Sequence, residues 1–286
     1  MNGSRQVLLG NADATLVLDL QHGGAVREYR WRGHPVLRPA VDASASDPFQ
    51  LASFPLVPYV NRIAGGRFEA GGTAVKLAPN WSADPHPLHG QGWRSPWVLE
   101  ESSGSAATLR FEGGGDEWPW RYRARQRFEL RADGLSLRLS VANLSDSPMP
   151  AALGLHPYFP RAADAHLTTD ATRVWMTDPS ALPVSEVPVP QDWSFSAGRA
   201  VAGVPLDHCF SGWSGSARLR WPRYSVTLQA SGCGFLHVYV PRVGDFFCVE
   251  PQTVATGAFN REPGEVPRVP PGAELALTLD LLLTET

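Results

Sequence analysis

The feature that most constrains the fold is an alternation of apolar and polar residues with a period of two. Between Tyr122 and Leu130 every second residue falls on one, mostly apolar face, and arginine fills most of the other face. The alternation resumes from Leu135 to Val141, after the turn sequence Ala132-Asp133-Gly134. Two alternating segments joined by an Asp-Gly turn are typical of an antiparallel β-hairpin.

Shorter strand-like segments, separated by turn residues, recur along the chain. They are Gln6–Leu9, Ala14–Leu20, Val26–Arg30, Thr73–Leu77, Ala106–Phe111, Ala217–Trp221, Ser225–Leu228, Phe235–Val240, Phe246–Val249 and Glu274–Leu283. No long window shows the 3.6-residue period of a helix without proline or glycine. We therefore predict an all-β fold, a large antiparallel β-sandwich. No linker and no repeat of fixed period divides the chain, so we expect one domain over residues 1–286.

Charge and composition exclude several classes of function. The 25 basic and 28 acidic residues give a net charge of −3, which provides no general attraction to nucleic acid or to an anionic membrane. Lys76 is the only lysine, so Schiff-base chemistry would have to use a residue of a predicted surface strand. We expect neither a nucleic-acid partner nor a membrane partner.

Cysteine usage and the chain start favour a cytoplasmic protein. The spacing of Cys209, Cys233 and Cys248 fits neither a disulfide framework nor a zinc site, which is typical of a reducing compartment. The start MNGSRQVLLGN lacks the apolar core of a signal peptide. No uncharged apolar segment approaches the length of a membrane helix. We expect either a monomer or a homodimer, since the sequence does not distinguish between them.

The segment Asp47–Trp97 differs from the rest, because it has few strand signals and is dense in His, Asn, Arg, Trp and Pro. Irregular segments of this length in a compact domain are often functional. His86 and His89 within it have a spacing that two metal ligands can have. Pro87 lies between them and no helix is indicated, so we predict no metal site there.

Three further residues stand in unusual settings. His156 follows an apolar segment, Asp207 lies between apolar neighbours, and Glu250 ends the sequence Asp245-Phe-Phe-Cys-Val-Glu250. A buried carboxylate is costly unless it is paired or its pKa rises. Each residue alone also has a structural interpretation: a hydrogen-bonded histidine, a turn aspartate and a glutamate that accepts from backbone N–H groups.

Taken together and in chain order, these motifs resemble the aldose 1-epimerase (galactose mutarotase) superfamily. The resemblance spans nearly the whole chain and rests on Asn61-Arg62-Ile-Ala-Gly-Gly-Arg-Phe68, His89-Gly-Gln-Gly-Trp93, Leu155-His156-Pro-Tyr-Phe159, Asp207 and Glu250. It implies a β-supersandwich and a reaction that needs no metal, nucleotide or other cofactor. The sugar ring opens, the aldehyde turns about C1–C2, and the ring recloses on the other face.

The resemblance also implies roles for individual residues. Glu250 would be the catalytic base and His156 the catalytic acid. The substrate, a small-molecule sugar, would be bound by Arg62, His89, Asp207 and, less directly, by Asn61 and Tyr158. We further expect Trp93 to line the cleft, because pyranose C–H faces pack on aromatic rings.

Other functions remain open on the same fold. An epimerase of hexose 6-phosphates would need extra cations, for which Arg67 and Arg94 flank the motifs. A non-catalytic carbohydrate-binding protein would keep the cleft, and a glycosidase would use Asp207 and Glu250 as paired carboxylates. The motif His-Pro-Tyr-Phe-Pro differs from the His-x-Tyr-Phe-Asn of galactose-type members, so the resemblance does not extend to galactose as the substrate.

Overall fold

A computed structural model describes residues 5–261 and 264–286. The strands are β1 (Gln6–Gly10), β2 (Ala14–Asp19), β3 (Ala25–Trp31), β4 (His34–Pro35), β5 (Ser53–Leu56), β6 (Arg67–Ala70), β7 (Thr73–Lys76), β8 (Val98–Ser102), β9 (Ala106–Gly113), β10 (Tyr122–Arg131), β11 (Gly134–Asn143), β12 (Met149–Pro150), β13 (Gly154–Pro160), β14 (His166–Thr169), β15 (Arg173–Thr177), β16 (Pro183–Pro188), β17 (Arg199–Ala200), β18 (Leu206–Ser211), β19 (Ser216–Arg220), β20 (Tyr224–Ser231), β21 (Phe235–Val240), β22 (Phe246–Gln252), β23 (Arg268–Val269) and β24 (Glu274–Glu285). Short 3-10 helices lie at Pro48–Gln50, Ala64–Gly66, Gly92–Arg94, Gly115–Glu117, Gln191–Trp193 and Ala258–Asn260.

The predicted hairpin is confirmed. Strands β10 and β11 pair antiparallel, with Leu130 opposite Leu135 on either side of the Asp-Gly turn. No α-helix occurs among the described residues, so the all-β prediction holds as well. The first four residues of the N-terminal segment that we interpreted as lacking a signal peptide lie outside the described residues. Within the part of the chain that is described, no helix is long and apolar enough to cross a membrane.

Two large antiparallel sheets make up most of the fold. The 11-stranded sheet has the order β1-β2-β3-β5-β13-β22-β21-β18-β15-β16, with β4 attached to β3. The 9-stranded sheet has the order β17-β14-β19-β20-β24-β11-β10-β9-β8. The hairpin β6–β7 and the pair β12–β23 stand apart from both. Strands from distant parts of the sequence, such as β5, β13 and β22, thus become neighbours at the centre of the larger sheet.

Side-chain alternation gives the larger sheet one core face and one cleft face. Phe159 of β13 and Phe247 of β22 are fully buried, and both rings approach Trp221, which directly follows β19 of the other sheet. Since successive residues of a strand point to opposite faces, the residues between these core positions face away from the second sheet. The sheet centre therefore presents a second face on which polar side chains can collect.

The outer face of the 9-stranded sheet explains the arginine-rich alternation of β10. Arg123 contacts Glu112, and Arg125 contacts Glu100, each through charged hydrogen bonds near the surface. Phe128, on the opposite face of β10, is fully buried. Exposed ion pairs of this kind contribute little stability each, so the apolar face supplies most of the strand's stabilisation.

Candidate active site

A cavity of about 330 Å³ opens on the cleft face of the larger sheet. Its floor comes from β13, β22, β21 and β18, and its walls from the irregular segment that the sequence singled out. The polar and charged lining residues include Asn61, Arg62, His89, His156, Tyr158, Asp207, His237 and Glu250. All the predicted site residues except Trp93 are in this set.

Strand register brings the floor residues together from distant parts of the sequence. Glu250 lies directly opposite His237 across the β21–β22 pair. In the same way Asp207 of β18 lies opposite Tyr239 of β21, which in turn lies opposite Cys248 of β22. Opposite residues of an antiparallel pair have their Cβ atoms about 4.5–5.5 Å apart on the same face. The alternation of each strand therefore places these side chains on one surface.

His156 and Glu250, the two candidate catalytic groups, contact each other. The Nε2 atom of His156 is 3.3 Å from Oε1 of Glu250, and the glutamate side chain is only 2% exposed. The imidazole stacks between Phe54, at a ring distance of 4.6 Å, and Tyr158, at 4.7 Å. This packing restricts the ring to one plane and holds Nε2 against the carboxyl group.

Burial changes the protonation of this pair. Loss of solvation raises the pKa of Glu250 to about 8 and lowers the pKa of His156 to about 3. At neutral pH the pair therefore holds one proton, which resides on the glutamate. The resemblance implies the reverse placement, with anionic Glu250 and protonated His156. In both placements the two residues hold one proton between them. Because neighbouring groups of this kind titrate as a unit, we assign the proton to the pair and not to one residue.

A second charged pair lies beside the first. His237 Nε2 is 2.8 Å from Oδ1 of Asp207. Burial, the largest single effect, would lower the pKa of His237, but the hydrogen bonds to Asp207 and Cys209 and the nearby carboxylate charges together outweigh it and raise the pKa to about 10. Burial, again the largest single effect, would raise the pKa of Asp207, but the hydrogen bond from His237 and the neighbouring positive charges together give a net lowering. The pair is therefore an imidazolium and a carboxylate.

His237 is a site residue that the sequence motifs did not indicate. It stands in the predicted strand Phe235–Val240, between the core residues Leu236 and Val238, at a position that alternation assigns to the face opposite the core. That alternation was the available signal. The identity of the residues facing it, Asp207 and Glu250, depends on strand register and was not visible in the sequence.

His89 has a fixed hydrogen-bonding role. The backbone N–H of Asn61 donates to Nδ1 of His89 at 3.1 Å. Burial and neighbouring cationic groups keep the pKa of His89 well below its usual value, so the ring is neutral. With Nδ1 accepting, the ring proton lies on Nε2, which makes that atom a hydrogen-bond donor.

The wall residues Asn61 and His89 both have left-handed backbone conformations, with φ of 55° and 59°. Such conformations are uncommon for residues other than glycine and cluster at functional sites. The backbone N–H of His89 donates to the carbonyl oxygen of Asn61, which ties the two turns together. The surrounding contacts thus hold both residues in place at the cavity wall.

Arg62 is oriented by an acidic residue that the sequence analysis did not single out. Its Nε atom donates to Oδ2 of the buried Asp84 at 2.6 Å, and its NH1 group donates to Oδ1 of Asn61 at 3.4 Å. A carboxylate on one side fixes the guanidinium plane and leaves other N–H groups available. Arg62, which lines the cavity, therefore keeps N–H groups that can donate hydrogen bonds to a ligand there.

The expectation that Trp93 lines the cleft is wrong. Trp93 is buried, its Nε1 atom donates to the carbonyl oxygens of Leu88 and Gly90, and its ring packs against Phe49 and Phe54. It therefore supports the cavity wall from behind. The aromatic side chains that line the cavity from the irregular segment are Phe49 and Trp81, whose ring centroids are 4.8 Å apart.

Arg67, Arg94 and His86 lie outside the cavity lining. Arg94 donates to Glu117 at 2.7 Å and to the carbonyl oxygen of Asn80 at 2.9 Å, and Arg67 borders a different cavity. His86 accepts from the backbone of Gly65, whereas His89 accepts from Asn61. The Nδ1 atoms of the two histidines therefore accept from different backbone N–H groups, and neither arginine lines the cavity.

Comparisons with known proteins agree with this arrangement. The family model described as aldose 1-epimerase matches residues 5–281. This chain belongs to the aldose 1-epimerase family. The uncharacterized protein YphB of Escherichia coli K12 is 31% identical over 285 residues, which cover 94% of this chain and 97% of YphB. Among solved structures, an Escherichia coli K12 protein provisionally named an aldose 1-epimerase has a TM-score of 0.91 and 27% identity, covering 98% of this chain and 99% of that one.

More distant structures share the fold. A galactose mutarotase-like protein of Clostridium acetobutylicum has a TM-score of 0.89 at 18% identity, covering 98% of this chain and 95% of that one. A galactose 1-epimerase of Lactobacillus acidophilus has a TM-score of 0.81 at 17% identity, covering 98% and 94%. These neighbours confirm the expected galactose mutarotase-like fold of this aldose 1-epimerase family member.

Proposed function

We propose that this chain is an aldose 1-epimerase that interconverts the α and β anomers of a free aldose. The observation that carries the proposal is the 3.3 Å contact between His156 Nε2 and Glu250 Oε1 at the floor of a polar cavity. The reaction requires one group that accepts a proton and one that donates it. The pair holds one proton at neutral pH, so it can supply both functions.

The proton moves in a closed cycle. Anionic Glu250 accepts the proton of the C1 hydroxyl while protonated His156 donates to the ring oxygen, and the ring opens to the aldehyde. After rotation about C1–C2 both transfers reverse, and the ring closes as the other anomer. Substrate binding favours this proton placement, because the imidazolium donates to the ring oxygen and the carboxylate accepts from the hydroxyl. Each positioned acid or base contributes about 10²–10⁴-fold.

The remaining lining residues position the sugar. His89 Nε2 and the guanidinium of Arg62 are hydrogen-bond donors, Asp207 is an acceptor, and Trp81 with Phe49 provides an apolar wall. Donors and acceptors on several sides suit a polyhydroxylated ring, and the aromatic rings suit its C–H face. Orientation of this kind lowers the entropic part of the barrier.

A neutral sugar fits the charges better than a sugar phosphate does. Arg62 is already paired with Asp84, and His237 with Asp207, while Arg67 and Arg94 are outside the cavity. A phosphate would face Glu250 and Asp207 without an additional arginine fork to neutralise it. We therefore place the free aldose before the hexose 6-phosphate.

Two other functions on this fold, a carbohydrate-binding protein and a glycosidase, fit the geometry of the site less well. A carbohydrate-binding protein has no use for an acid–base pair at 3.3 Å. A glycosidase is favoured by one observation, because Glu250 has a raised pKa and Asp207 a lowered one, as an acid and a nucleophile would require. The 2.8 Å bond between Asp207 Oδ1 and His237 opposes that function, since a carboxylate paired with an imidazolium is a weaker nucleophile.

Polarimetry of freshly dissolved single-anomer aldoses tests the proposal. We expect the wild-type chain to accelerate the change in optical rotation of at least one aldose, and Glu250→Gln to remove the acceleration while retaining the fold. Aryl glycosides serve as a control substrate and should release no aryl alcohol. Sugar binding by calorimetry without acceleration for any free aldose would contradict the proposal.

A further inference from the structure

The proposed reaction gives no role to Cys248, although this cysteine adjoins the acid–base pair. It lies two residues before Glu250 on β22, on the same face of the strand, and is fully buried. It stands opposite Tyr158 in β13 and opposite Tyr239 in β21. Burial raises the pKa of the Cys248 thiol well above its usual value, so in the free protein the group is protonated and unreactive.

Three different donor atoms converge at this point. A nitrogen of His156, the Sγ of Cys248 and a carboxylate oxygen of Glu250 all lie within 4.8 Å of one another, and all three residues are buried. Within residues 5–261 and 264–286 no other group of three His, Cys, Asp or Glu side chains meets this condition. Within the group, His156 Nε2 lies 3.3 Å from Glu250 Oε1.

These separations suit a tetrahedral metal centre. Zinc binds sulfur at about 2.3 Å and nitrogen or oxygen at about 2.0–2.2 Å, so neighbouring ligands of one ion lie about 3.3–3.8 Å apart. The Sγ atom of Cys248 lies within 4.8 Å of the other two donor atoms, so an inward movement of about 1 Å brings the thiol to that spacing. Three protein ligands leave a fourth position open, and the cavity that His156 and Glu250 line provides it.

We propose that His156, Cys248 and Glu250 form a binding site for a thiophilic divalent cation, Zn²⁺ or Cd²⁺, whose occupation excludes the sugar. Thiolate and imidazole ligands select such cations over Mg²⁺ and Ca²⁺, which prefer oxygen. The ion enters through the cavity, and the thiol and the acid–base pair release their protons to solvent. The bound cation would coordinate both His156 and Glu250, the two groups that the reaction of the sugar needs.

The charges around the site permit a cation. His237, opposite Glu250, is positive, but Asp207 neutralises it at 2.8 Å. Arg38 lies over the ring of Tyr158, 4.7 Å from its centroid, and donates to the carbonyl oxygens of Phe49 and Leu51. Binding adds two positive charges and releases the protons of Cys248 and Glu250, so the buried centre remains nearly neutral.

Direct metal titration tests the binding without any assumption about the reaction. The metal-free wild-type protein is titrated with Cd²⁺ and followed by the ultraviolet charge-transfer band of the cadmium–thiolate bond. Zn²⁺ affinity is measured in parallel by calorimetry. We expect one ion per chain, a thiolate band, and protection of the bound protein against thermal unfolding. Because binding alone is measured, failure of the proposed epimerase function would not affect this result.

Two substitutions and one matched control assign the ligands. Cys248→Ser should remove the band. Cys248→Ser and Glu250→Gln should each weaken Zn²⁺ binding by at least about 10- to 100-fold, because that is the loss found when a residue that only hydrogen-bonds to a metal ligand is replaced. Cys233→Ser should change neither measurement, since this half-buried cysteine lies outside the group. An unchanged affinity in both Cys248→Ser and Glu250→Gln, or a band lost only in Cys233→Ser, would overturn the site.

Inhibition is the second measurement, and it rests on the proposed function. If the chain is an epimerase, Zn²⁺ should inhibit it in competition with the sugar, and a chelator should restore activity. Mg²⁺ at the same concentration should have no effect. Tight Zn²⁺ binding at the assigned residues with undiminished epimerase activity would show that the ion does not exclude the sugar.

Discussion

His237 lies directly opposite Glu250 across the β21–β22 pair, and its Nε2 atom is 2.8 Å from Asp207. A buried cation thus adjoins a buried carboxyl group whose pKa is raised to about 8 by desolvation and lowered in part by that cation. Without His237, less would oppose the rise in the pKa of Glu250 that desolvation causes. The histidine therefore sets the pH at which the acid–base pair loses its last proton.

The pH dependence of activity should follow from this arrangement. Below a pH of about 8 the pair of His156 and Glu250 holds its proton, and activity should fall as the pH rises through that value. His237→Gln removes a cation and leaves Asp207 without its partner, and both changes raise the pKa of Glu250. The alkaline limb of the rate profile should therefore move to higher pH, as a pH series of polarimetric rates measures.

If His237 had only a structural role, the substitution His237→Gln would lower the rate without moving the alkaline limb of the pH profile. Cys209→Ala provides the control, because Cys209 lies opposite His237 in β18 and its replacement removes a hydrogen bond to His237 while leaving the pair of His237 and Asp207 in place. We expect its limb to coincide with that of the wild type. An unshifted limb in His237→Gln would contradict the electrostatic account.

Trp81 and Trp93 should differ when each is replaced by alanine. Trp81→Ala removes a lining ring and should raise KM several-fold, in line with about 1 kcal/mol for an aromatic contact, with little loss of stability. Trp93→Ala removes a buried ring and two hydrogen bonds, and should lower the free energy of unfolding by about 3–5 kcal/mol. Steady-state kinetics and denaturant unfolding check the two effects, and equal loss of stability in both variants would contradict the placement.

Phosphate recognition should be absent. Arg67→Ala and Arg94→Ala remove the two arginines that flank the motifs but lie outside the cavity, so neither should change KM for the free aldose. Inorganic phosphate should not compete with the sugar. Competition by phosphate that disappears in either variant would instead support a sugar phosphate as the substrate.

Asp84 should act on the substrate through Arg62. Asp84→Asn keeps the size of the side chain but removes the charge that orients the guanidinium at 2.6 Å. We expect KM to rise about tenfold and kcat to change little, since the loss concerns binding that is common to ground state and transition state. Arg62→Ala is the reference, and a smaller effect of that variant than of Asp84→Asn would contradict the relation.

Part of this site follows from sequence and part depends on strand register. The alternation in β10 and β11 specifies a hairpin because both the period and the Asp-Gly turn are local. Glu250 was recognisable because a carboxylate at the end of an apolar strand needs a partner. His237 and Cys248 were not recognised, because an alternating strand does not reveal which residues of distant strands lie beside it.

The misplacement of Trp93 has a related cause. Trp93 lies four residues after His89, and its Nε1 atom donates to the carbonyl oxygens of Leu88 and Gly90, which holds the ring behind the cavity wall. Trp81 lies further from any motif in the sequence, but the loop that carries it places its ring at the cavity. Long-range packing decides such cases, and composition alone does not.

A double-mutant cycle on His156 and Glu250 tests the central claim most directly. Exchange between anomers at equilibrium is measured by nuclear magnetic resonance for the wild type, His156→Gln, Glu250→Gln and the double variant, with the best aldose found by polarimetry. If the two groups share one proton, each single substitution should remove nearly all of the acceleration, and the double variant should lose little more. Independent, additive losses, or a Glu250→Gln protein with near wild-type exchange, would contradict the account.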